Sequence, residues 1–90
     1  MRKSIHTADY EVLIELLRDA REAAGASQSD VSGHIGRSQS FLSDFERGQR
    51  RLDIIQLRDI CKYLDVDFPK FATELDRRLR TVARPRRQRR

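Results

Sequence analysis

Between Gly25 and Gly48 the chain has room for only two short helices, and Gly36 and Arg37 are all that part them. Two helices joined this tightly cross steeply instead of running side by side. Their contact asks for apolar groups from both, a small residue where they touch, and a residue that accepts the sharp turn. Val31 and Ile35 serve the first helix, and Leu42 and Phe45 the second. Ser32 is small, and Gly36 takes the turn.

The rest of the chain supplies the surfaces on which this pair packs. In YEVLIELLRDAREAA, Leu13, Leu16, Leu17, Ala20, Ala23 and Ala24 recur at three and four, which predicts a helix over about 10–24. Gly25 ends it. Ser27 and Asp30 form a capping-box pattern that opens a second helix to about Ile35. Ser38 is placed to cap a third, which ends near Arg47 before Gly48, with Phe41, Leu42 and Phe45 on its inward face. Asp53 and Gln56 repeat the box for a fourth helix over about 54–64. Leu52 and Leu57 stand as its hydrophobic staple, and Ile54, Leu57, Ile60, Cys61 and Leu64 are read as inward. Asp65 takes the left-handed position after it. A fifth helix begins at DFPKF, with Pro69 in its first turn and Phe68, Phe71, Ala72, Leu75, Leu79 and Val82 as its stripe. No alternating run suggests a strand. The expectation is an all-α, compact five-helix domain over 10–82, with its turn-linked pair at about 28–47. An arm over 1–9 precedes it, and a disordered Arg-rich tail over 83–90 follows.

Charge is uneven along the chain. Lys and Arg number 19 and Asp and Glu 14, a net +5. The last seven residues, RPRRQRR, hold five arginines and no acid, so the remainder is neutral and the excess lies in the tail. A basic tail points to a polyanion partner or to simple solubilisation. No apolar run approaches membrane-helix length and no signal segment appears. The single Cys61 rules out an intrachain disulfide and fits the cytoplasm or nucleoid. His6 and His34 have no ligand partner at helical spacing, so no metal site is expected. No phosphate-binding glycine loop and no nucleophile–base set appears. Neither an enzyme nor a cofactor is expected.

The third helix carries the sharpest signal. Its core-seeking face is matched by an outer face of Ser38, Gln39, Ser40, Ser43 and Asp44, all short and polar. A helix seated in the major groove reads base edges with such groups, especially near its N-terminus. Gln39 suits adenine, Ser40 and Ser43 donate or accept, and Asp44 accepts from a cytosine amino group.

These residues also carry a resemblance. R-x-x-x-G-x-S-Q over Arg21–Gln28, S-Q-S over Ser38–Ser40 and F-E-R-G over Phe45–Gly48, in that order, resemble the lambda-repressor-like (Xre-type) helix-turn-helix family across about residues 13–66. The resemblance implies a bundle of about five helices that binds operator DNA, usually as a dimer. By position it implies base reading by Gln39, Ser40 and Asp44. It implies backbone or groove contacts by Ser27, Gln28, Arg37, Ser38, Ser43, Arg47, Arg50 and Arg51. Arg21 and Glu46 match a partly buried ion pair. Three positions depart from the pattern. Arg37 replaces an apolar residue and is expected to swing toward phosphate. Asp44 turns an anion toward DNA, which costs affinity unless it meets cytosine or an arginine such as Arg47. Asp65 replaces a glycine.

The reading is a transcriptional regulator, a repressor acting as a homodimer on an inverted repeat of double-stranded DNA. Phe71, Leu75 and Leu79 are expected at its dimer interface. A DNA-binding antitoxin with a toxin partner, or a restriction–modification controller, is a close variant. A helical protein-binding adaptor is the alternative of another class.

Overall fold

The computed structural model describes residues 7–82, and the Arg-rich tail and residues 1–6 of the arm lie outside them. Five helices follow one another: α1 Ala8–Ala23, α2 Gln28–His34, α3 Ser40–Glu46, α4 Ile54–Tyr63 and α5 Phe68–Leu79. There is no strand among the described residues. α1 begins two residues earlier than its apolar spacing predicts, because the Thr7 hydroxyl accepts the Tyr10 N–H at 3.0 Å and caps the first turn.

Both capping boxes are present in full. Ser27 and Asp30 exchange bonds at the start of α2, and Asp53 and Gln56 do so at the start of α4. α1 to α4 then end alike. In each, a left-handed residue follows the helix, and the next N–H reaches back to the third residue from the helix end. In α2 the Arg37 N–H meets the Ser32 carbonyl at 2.9 Å, with Gly36 at φ 72°. In α4 the Val66 N–H meets the Cys61 carbonyl at 2.8 Å, and Asp65 holds φ 61° in the position glycine takes elsewhere.

α2 packs on α3, α1 on both α3 and α5, and α4 on α2 and α5. The core between them contains Ile14, Leu17, Val31, Leu42, Phe45, Ile60 and Cys61, all essentially sealed from solvent. The Cys61 thiol is pushed up to about 11 by that burial, so it behaves as a small apolar group. Tyr10 sets an edge-on ring against Phe45 at 6.0 Å, and its hydroxyl accepts the Leu52 N–H at 3.0 Å. That bond ties the start of α1 to the segment between α3 and α4.

The inward stripes read in the sequence fail at Ile54, Ala23, Ala24 and Ala72, which are exposed. Ile54 is 64% exposed, as is Ile55. Ile54 is the first residue of α4, and helical side chains lean toward the N-terminus, which carries it past the edge of the core. Phe41 is buried but lies outside the main apolar cluster. Phe71 is only 5% exposed and belongs to the core, so α5 has already buried it within the chain.

Candidate nucleic-acid interface

α3 is held at its N-terminal end by a group from α2. Its N-cap residue, Gln39, has helical backbone angles and makes no side-chain capping bond. The Leu42 N–H, one of the first-turn donors a cap would satisfy, goes to the fully buried Ser32 hydroxyl at 3.0 Å. Ser32 Oγ in turn donates to the Gln39 carbonyl at 3.5 Å. Ser38 is therefore not the side-chain cap expected from its position. Its carbonyl takes the Phe41 N–H at 3.0 Å, and its hydroxyl lies 3.4 Å from that of Ser40. Ser32 supplies a donor and an acceptor as well as small size. Nothing local in the sequence marks it for that role, because the bond spans ten residues.

The C-terminal end is held by charge. Glu46 takes Arg21 Nε at 2.8 Å and Nη2 at 3.1 Å in a two-pronged pair, with side chains 5% and 12% exposed respectively. Arg21 Nη1 also donates to the Ala26 carbonyl at 2.9 Å. Gln28 Nε2 donates to the same carboxylate at 2.8 Å. The Gln28 amide thus braces the end of α3 from the first residue of α2. Three segments meet at one carboxylate: the end of α1, the start of α2 and the end of α3.

Between these anchors the outer face is open. Ser38, Gln39 and Ser40 are exposed, and Ser43 and Asp44 follow one turn later, half-buried. Arg47 closes the stripe by donating to Ser43 Oγ at 2.8 Å and to Asp44 Oδ1 at 2.6 Å. The anion at Asp44 is thus offset by its own helix. Arg47 is correspondingly engaged and must exchange partners to reach a phosphate. Ser27 is occupied in its capping box.

Arg37 does not simply swing outward. Its guanidinium sits 4.9 Å from the centre of the Phe41 ring, and that of Arg50 sits 4.5 Å from the same centre. Such contacts contribute roughly 0.5–1 kcal/mol each at exposed sites. Arg51 lies over Tyr10 at 5.8 Å. Phe41 is thus covered by cations instead of by the core. On the far side of α2, His34 stacks on Tyr63 at 4.5 Å.

A family model described as a helix-turn-helix domain matches residues 13–77. The chain belongs to the XRE-like helix-turn-helix family. Its fold resembles an XRE-family like protein from Pseudomonas syringae pv. tomato str. DC3000, at 39% identity and a TM-score of 0.74, over 82% of this chain and 90% of that one. A point mutant of the restriction–modification controller protein C.Esp1396I is similar over 81% of this chain and 92% of its own, at 25% identity and a TM-score of 0.70. Among curated proteins, the uncharacterised HTH-type transcriptional regulator y4dL of Sinorhizobium fredii is 37% identical over 57 residues, which are 63% of this chain. The match spans only 29% of that relative's length. No helix among the described residues is long and apolar enough to cross a membrane.

Proposed function

We propose that the chain is a sequence-specific DNA-binding transcriptional regulator that represses by occupying an inverted-repeat operator as a homodimer. The observation that carries this reading is α3 itself. It is pinned at both ends by Ser32 and Glu46, neither of which lies on the outer face, while that face presents Gln39, Ser40, Ser43 and Asp44. A rigid element with exposed hydrogen-bonding groups is what base-edge reading requires. Gln39 and Ser40, in the leading turn, are the principal readers. Asp44 reads jointly with Arg47, since the two are already paired. Arg37, Arg50 and Arg51 take phosphates, and Ser27, Gln28, Ser38 and Ser43 line the approach. The likeness to a restriction–modification controller supports that role as the specific form of regulator.

Gln39→Ala is expected to cost roughly 1–3 kcal/mol on the preferred site and to leave binding indifferent at one base pair per half-site. Site selection with parent and variant measures both effects. An unchanged preferred sequence would mean that Gln39 only orients α3. A parent that shows no salt-dependent shift on duplex DNA would favour the protein-binding adaptor instead.

Dimer formation rests on α5. With Phe71 committed to the core and Leu75 packed against its edge, the half-buried Leu75 and Leu79 carry the proposed surface. A two-fold of this kind spaces the two recognition helices by about 34 Å along the duplex. Leu75→Glu is expected to sediment as a folded monomer. A variant that stays dimeric would move the interface to the exposed Ile54 and Ile55 of α4.

A further inference from the structure

We infer that Phe41 is a positioning residue whose ring sets Arg37 and Arg50 as a paired clamp for the DNA backbone. The inference rests on the DNA-binding reading above. Arg37 belongs to the turn between α2 and α3, and Arg50 to the segment after α3, yet both guanidiniums converge on one ring. Five arginines of the fold are paired with acids: Arg21 with Glu46, Arg47 with Asp44, Arg77 and Arg78 with Glu74, and Arg80 with Asp76; Arg18, Arg51 and Arg58 are without an ion pair among the described residues. Arg37 and Arg50 make no ion pair among the described residues. Arg50 Nε is buried with no hydrogen-bond partner. With no acid paired to either, the two guanidiniums on this ring leave the surface beside it open to an anion, which gains from each cation it approaches.

Phe41 gives them a place to lie without giving them a charge partner. It is 3% exposed, although it lies outside the apolar core. Its burial comes in part from the two arginines it carries. A planar guanidinium can stack on a ring and still direct N–H groups at a phosphate, which an ammonium cannot do in the same way. The clamp flanks α3 at both ends in sequence and fixes the backbone contacts relative to Gln39 and Ser40. Its ligand is a phosphodiester of duplex DNA.

The test is the slope of log affinity against log salt on a mixed-sequence duplex, since each phosphate contact contributes roughly 0.9 to that slope. Phe41→Leu keeps an apolar side chain and removes the ring. Its slope is expected to flatten by about 0.9 to 1.8, for one or two lost contacts. Phe41→Tyr should restore the parent slope. Arg50→Gln removes the charge and leaves the ring intact, and should flatten the slope by about 0.9 even if Phe41→Leu fails to fold. A parent with a steep slope that Phe41→Leu and Arg50→Gln both match overturns the clamp and leaves DNA binding standing. A parent without salt-dependent binding overturns both. Weaker binding of Phe41→Leu at an unchanged slope would make the ring a packing group and would also overturn the clamp.

Discussion

Replacing Glu46 by glutamine is expected to lower the unfolding midpoint by more than about 10 °C. Breaking one partner of a buried pair costs roughly 3–5 kcal/mol, because the other charge is left without compensation. For a domain of this size each kcal/mol moves the midpoint by roughly 4–8 °C. The Glu46 side chain is 5% exposed and serves three donors from Arg21 and Gln28. Arg21 keeps 12% exposure and its bond to the Ala26 carbonyl, which places the loss toward the lower end of that range. The double variant Arg21→Met/Glu46→Leu should recover part of the loss by removing both charges together. Thermal melts of the three proteins check this. Coincident melts of Glu46→Gln and the parent would mean that the ion pair contributes nothing to folding.

The second large effect is expected at Ser32. Ser32→Ala deletes a single oxygen, yet it leaves the Leu42 N–H without its partner in a buried site. An orphaned buried donor costs roughly 1–3 kcal/mol, comparable to the upper range for losing a helix N-cap. The loss should concentrate at the leading turn of α3. Hydrogen exchange at the Leu42 amide should accelerate more than exchange at core amides of α1. Duplex binding should weaken as Gln39 and Ser40 lose a fixed frame. Unchanged melting together with unchanged Leu42 exchange would refute the capping role.

The contrast between Ser38 and Ser32 shows which parts of this molecule were legible in its sequence. Ser27 with Asp30, and Asp53 with Gln56, could be read directly because each bond closes within three residues. Thr7 obeys the same local rule and carried a usable signal, although its helix start was read two residues late. Helix ends were readable because a left-handed backbone selects glycine, or Asp65 in its place. The cap of α3 was not readable, because it comes from another helix. Periodicity placed Phe41, Phe71 and Ile54 on apolar stripes, but a stripe does not say what covers it. Arginines cover Phe41, the core takes Phe71, and solvent meets Ile54. The outer face of α3 was legible as a set of residues. The Asp44–Arg47–Ser43 linkage that organises its far end was suggested only in part, through the acid's need for a counter-charge.

The anchors of α3 also bear on how such a protein diversifies. Stability resides in Ser32 and Glu46, whose side chains are buried and bonded away from the exposed outer face. Gln39 and Ser40 contribute their side chains to no core contact, so exchanging them should retune target preference at almost no cost in folding. Asp44 is under a different rule. Losing its carboxylate releases Arg47 from its 2.6 Å contact and adds an unpaired cation to the same surface. A lineage built on this scaffold can therefore drift one residue at a time in the leading turn, whereas positions 44 and 47 are expected to change in concert.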